Sequence, residues 1–143
     1  MKKTVLLAGF VILAGCASTP QGVRLADLRS PEYFRGERSI PLTFPKIQMA
    51  LFKHQRACGS APQLKLDPRE TNYATIILQP SGDSSYDRTI IADVTQYQAS
   101  MMEEGRTRAK VYSYYSDALA KERIDQLFDA ITKPEICPGA TLQ

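Results

Sequence analysis

Two stretches with helical spacing bracket a block that alternates in twos, and this ordering restricts the chain's fold more than any other feature. The first stretch opens at Thr43, a capping residue, takes Pro45 in its first turn and stops at Gly59. Ile47, Ala50, Leu51, His54 and Cys58 recur at steps of three and four, which marks one face for burial, while Lys46, Lys53 and Arg56 face elsewhere. Residues 63–66 then read as a short strand closed by Asp67-Pro68, and residues 73–79, rich in β-branched and aromatic side chains, as a second. In residues 88–98, Ile90, Ala92, Val94 and Gln96 alternate against Thr89, Ile91, Asp93 and Thr95. Glu103-Glu104-Gly105 has the composition of a hairpin turn. After it, residues 106–115 put Arg106, Arg108 and Lys110 on one face and Thr107, Ala109 and Val111 on the other. The second helical stretch has Ser116 as a natural N-cap and Asp117 at the positive end of the helix. Its stripe is Leu119 or Ala120, then Ile124, Leu127, Phe128 and Ile131, and Pro134 ends it.

This order predicts an α+β domain over residues 43–143: helix, four-stranded antiparallel meander, helix, with both helices on one face of the sheet. A chain of 143 residues, 43% apolar and 23% charged, has the composition of one globular domain rather than a disordered tail.

The N-terminus has a different character. Lys2 and Lys3 precede an apolar run, residues 5–14, that ends Leu13-Ala14-Gly15-Cys16. The run is shorter than the about 20 apolar residues a spanning helix needs and fits the core of a signal peptide. The charge pair, the core and the Cys-terminated box together resemble the lipobox of bacterial lipoproteins cut by signal peptidase II, over the first sixteen residues. The resemblance implies that residues 1–15 are removed and that Cys16 carries diacylglycerol on its thiol and a further acyl chain on its amine. Such anchoring is stable because each buried methylene contributes about 0.8 kcal/mol. Ala17 and Ser18 follow the cysteine, where in enterobacterial lipoproteins an Asp favours inner-membrane retention. The expected location is therefore the cell envelope, at the periplasmic face of the outer membrane.

Residues 16–42 carry Pro20, Gly22, Pro31, Gly36 and Pro41 and no sustained period, and read as a lipidated tether. Val23, Leu25, Leu28, Tyr33 and Phe34 are too many apolar residues for a pure spacer, so part of it is expected to dock on the domain. With Cys16 committed to lipid, Cys58 and Cys137 remain, and in an oxidising periplasm they admit one intramolecular disulfide; the alternative is two buried free thiols.

Lys2 and Lys3 leave with the leader, so 16 of the 18 basic side chains remain against 15 acidic ones, a net charge of +1. Such a balance gives no electrostatic case for binding nucleic acid. No Gly-x-Ser-x-Gly elbow or Gly-rich phosphate loop is present. The one histidine, His54, lies on the buried stripe, where a structural role outweighs a catalytic one, and it has no ligand partners at zinc spacing. No catalytic residue, cofactor or metal is expected. Arg106, Arg108 and Lys110 are the candidate surface for an anionic partner such as lipid headgroups, lipopolysaccharide phosphates or peptidoglycan carboxylates. The plainer reading is a solvated sheet face with acidic residues across the strand.

The function expected is a non-enzymatic accessory or scaffold subunit of an envelope assembly, held to the membrane by its lipid and to an envelope protein by its surface. The alternative is an inhibitor or immunity-type module against an envelope hydrolase, projecting the loop 80–87 with Tyr86 and Asp87 at its end.

Overall fold

In the computed structural model, which describes residues 22–101 and 105–139, two 3-10 turns (Asp27–Arg29 and Pro31–Tyr33) lead into strand β1 (Phe34–Ile40). Helix α1 (Phe44–Cys58) follows, then β2 (Gln63–Leu66), β3 (Tyr73–Leu78), β4 (Ile90–Tyr97), β5 (Arg106–Ser113) and helix α2 (Ala118–Thr132). The leader, Cys16 and the Glu103-Glu104 turn lie outside the described residues.

Strands β2 to β5 form the antiparallel meander read from the alternation, but the sheet has five strands, in the order β1-β5-β4-β3-β2. The expected four-stranded sheet and the helix-first order are corrected by β1, which comes from the stretch read as tether and pairs with β5 from Gly36↔Val111 to Ile40↔Thr107. Its sequence, FRGERSI, carries no apolar alternation because it is a solvated edge in which only Ile40 is buried. Charged edge strands of this kind resist pairing with a further chain. Gly36 takes φ 123°, a conformation that side chains rarely adopt, and the register slips beside it, between Phe34 and Gly36. Because β1 and β2 occupy opposite edges, α1 must cross the whole face of the sheet to join them.

Local signals fix both helices. Thr43 is extended, Pro45 sits in the first turn, and Gly59 closes α1 at φ 81° with its N–H donating to the Gln55 carbonyl at 2.9 Å. α2 begins one residue later than Ser116 suggested. Asp117 is the cap, and its Oδ1 accepts the Ala120 N–H at 2.8 Å, a bond that Ser116 is one residue too early to make.

Both helices pack on the same sheet face. Phe44, Ile47 and Leu51 of α1 and Ile124, Leu127 and Ile131 of α2 meet Ile76, Ala92, Val94, Ala109 and Val111 in one cluster. Each large aliphatic side chain fully buried there contributes about 1.5–3 kcal/mol. The opposite face has a smaller cluster, in which Leu28 covers Ile77 and Ile91, with Val23, Leu25, Tyr86 and Tyr112 around it. The Cys58–Cys137 disulfide joins the end of α1 to the segment after α2, with 5.3 Å between Cα atoms and 79 residues of sequence separation. No helix among the described residues is long and apolar enough to cross a membrane.

Candidate functional site

The two faces of the sheet present different chemistry. On the face away from the helices, the stretch before β1 is clamped down by one ionic contact. Arg29 grips Asp93 with both ends of its fork: Nε donates to Oδ2 at 2.8 Å and Nη2 to Oδ1 at 2.9 Å. Nη2 also donates to the Thr75 hydroxyl at 3.1 Å, and that hydroxyl donates to Asp93 Oδ1 at 3.0 Å. The bidentate geometry is the strong form of this pairing. It leaves the buried Asp93 carboxylate compensated, as a charge on a β-strand must be. The hydrogen bond to Asp93 holds the Arg29 guanidinium above its ordinary pKa, against the opposing effect of burial. Burial, reinforced by Asp93, also pushes the phenol of Tyr73 up. The sequence reading missed this clamp. Its signal was Asp93 standing alone in the apolar run Ile90–Val94, a carboxylate that needs a cation from whatever covers that face.

Arg106, Arg108 and Lys110 project from this same face of β5, all exposed. β1 supplies a counterion: Glu37 lies 3.8 Å from Arg108 Nε and 4.0 Å from Lys110 Nζ. Arg108 also stacks over the Tyr97 ring at 5.3 Å. Lys110 is flanked across the ladder by Glu37 on one side and Asp93 on the other. These exposed pairs contribute under about 1 kcal/mol each, but they place negative charge within the stripe itself.

The loop 80–87 is tied to the clamped segment. Tyr86 N–H donates to the Val23 carbonyl at 3.4 Å, Gly22 lies against Ser85, and Gln79 Nε2 donates to the Asp83 carbonyl at 3.0 Å. Tyr86 packs into the Leu28 cluster.

His54 is buried, and its Nδ1 donates to the Pro134 carbonyl at 3.1 Å, holding the segment after α2 next to the disulfide. The cleft beside it, about 450 Å³, includes Asp125 and Asp129. Asp125 is paired with Arg38 at 2.7 Å and Asp129 with Lys133 at 3.3 Å. Among the described residues no group of three His, Cys, Asp or Glu side chains is placed to hold a metal ion.

A wide concavity among the described residues lies on the outward face of α1, a stripe the sequence reading did not single out. Met49 and Phe52 are 69% and 54% exposed there, over an open groove of about 1010 Å³. Leu42, Pro45, Ala50, Ala57 and Pro134 complete its apolar lining. Lys46, Lys53 and Arg56 stand around it, with Glu135 as the one carboxylate, 2.6 Å from Lys53 Nζ. That contact draws the Glu135 carboxyl below its ordinary pKa, by hydrogen bonding first and charge second. The visible signal was the absence of any Asp or Glu from residues 44–58, with Met49 and Phe52 three residues apart and off the buried stripe.

No protein-family model matches the chain, and no curated protein or solved structure matches it either.

Proposed function

We propose that the chain is a lipoprotein anchored through Cys16 at the periplasmic face of the outer membrane, acting without catalysis as an accessory or scaffold subunit of an envelope assembly. The observation that supports this most is the docking of residues 23–33 on the sheet. The stretch that would otherwise be a long tether is bound by Leu28 and the Arg29–Asp93 pair. Only six residue steps separate Cys16 from Gly22, which lies against Ser85 of the body. Six steps span at most about 20 Å. An anchor at Cys16 therefore holds the body close against the leaflet, as suits a subunit that meets partners already in the membrane rather than one that searches the periplasm.

The groove on α1 is the surface for such a partner. It lies across the sheet from the docked segment and is lined by apolar and cationic groups. The inhibitor reading draws less support, because the side chain it would project, Tyr86, is half-buried against the docked segment.

Metabolic labelling with a palmitate analogue tests the anchor. Label is expected on the wild-type chain and none on Cys16→Ser, with the variant moving from the membrane to the soluble fraction. An unlabelled wild-type chain, or a variant that stays in the membrane, would overturn the reading.

A further inference from the structure

We infer that the groove on the outward face of α1 receives an acidic amphipathic helix of a partner protein. The inference rests on the chain being a binding module and is independent of the lipid anchor. Three observations select that occupant.

The first is shape. The groove is sunk between α1 and the Pro134-Glu135 segment, with the small side chain of Ala50 half-buried among its lining residues. A concave site of this kind takes a convex rod. Laying the apolar stripe of a helix between flanking charges is a general mode of peptide recognition, in which side chains at helical spacing enter the groove.

The second is charge. Residues 44–58 contain Lys46, Lys53 and Arg56 and no carboxylate. Glu135 answers Lys53 alone. Among the described residues Lys46 and Arg56 have no ion pair, so the rim is cationic and its complement is acidic. The cations on β5 differ in this respect, since Glu37 already stands between two of them.

The third is that two occupants the chain itself could offer lack the complementary charge. A second copy laid α1 to α1 would oppose three cations with three cations. Residues 1–21 hold Lys2 and Lys3 and no Asp or Glu, so the N-terminal segment lacks the complementary charge too. Met49 and Phe52 would then be the apolar contacts of the bound helix. Met adapts to the shape it meets and Phe supplies area.

The test uses the full chain in detergent and two fluorescein-labelled synthetic helical peptides, one of leucine and glutamate and one with lysine in place of glutamate. Anisotropy titrations are expected to show the acidic peptide bound at least about tenfold more tightly than the basic one, with the preference shrinking as salt rises. Met49→Ser with Phe52→Ser removes binding of the acidic peptide. Both side chains are exposed, so the far-ultraviolet circular dichroism and melting temperature should hold. Lys46→Glu with Arg56→Glu reverses the preference toward the basic peptide. Four results would overturn the inference: equal affinity for the two peptides, no binding of either, binding confined to phosphatidylglycerol vesicles, or self-association in sedimentation that Phe52→Ser abolishes.

Discussion

Replacing Leu28 by alanine should release the segment before β1 while leaving the sheet and helices folded. Leu28 is fully buried, but its partners Ile77 and Ile91 belong to the smaller cluster, on the face away from the helices. Loss of a fully buried leucine side chain costs about 2–5 kcal/mol. The low end of that range applies here, because the segment can lift off instead of leaving an enclosed cavity. A loss of about 2–3 kcal/mol shifts the balance between docked and lifted segment by roughly 30- to 150-fold, since each 1.4 kcal/mol is about tenfold. Amide hydrogen exchange reads this directly. The N–H groups of Asp27, Leu28, Ser30 and Tyr33 bond only within the segment, and that of Tyr86 bonds to Val23. Their protection should fall by that factor, whereas amides in the β4–β5 ladder keep theirs. If protection fell equally throughout, Leu28 would belong to the global core. If it did not fall at the segment, Arg29 alone would hold the segment and the hydrophobic part of the argument would be wrong.

The remaining predictions follow from other contacts. Replacing Cys58 and Cys137 together by serine should lower unfolding free energy by up to about 4.5 kcal/mol, the chain-entropy value for a loop of this length, read by urea denaturation. Asp117→Ala should cost about 1 kcal/mol through loss of the α2 cap, and Asp117→Ser should recover most of it in the same assay. The Tyr73 phenol has its pKa raised in the fold, so its protonated form is the one the fold favours. Its contribution is complete below the unfolded value of about 10 and is lost as pH climbs through the folded value. The stability difference between the parent and Tyr73→Phe should therefore change only on the alkaline side, and a change centred near neutral pH would refute the assignment.

Where one face of an element carried the burial, periodicity was enough to read the fold. Of the alternating stretch 106–115, residues 106–113 form β5, and α1 runs from the residue after Thr43 to the residue before Gly59; β2 occupies the short stretch before Asp67-Pro68, though no residue of it is buried. Of the stripe Ile47, Ala50, Leu51, His54 and Cys58, residues Ile47, Leu51 and His54 are buried, while Ala50 and Cys58 are half-buried. β1 was invisible for the opposite reason: at an edge beside a bulge its side chains face water, and nothing in FRGERSI alternates. Ser116 and Asp117 are both good caps, and one-residue ambiguities of that kind are settled by which oxygen reaches the free N–H of the first turn.

The second sheet face was implied by a detail of composition rather than by period. β3 and β4 carry apolar side chains at successive positions, in Ile76-Ile77 and in Ile90-Ile91-Ala92, which is the pattern of strands covered on both sides. Two helices cover one side only, so the other cover had to come from the chain before α1. Asp93 within the same run fixes what that cover must bring, because a carboxylate held out of water requires a cation. Arg29 meets that requirement while Leu28 beside it supplies the apolar contact, so one dipeptide answers both demands of the face. Once residues 23–33 are committed there, the exposed apolar side chains of α1 have no cover among the described residues. The sheet's need for a second layer thus consumes residues 23–33 and leaves the outward side of α1 uncovered among the described residues.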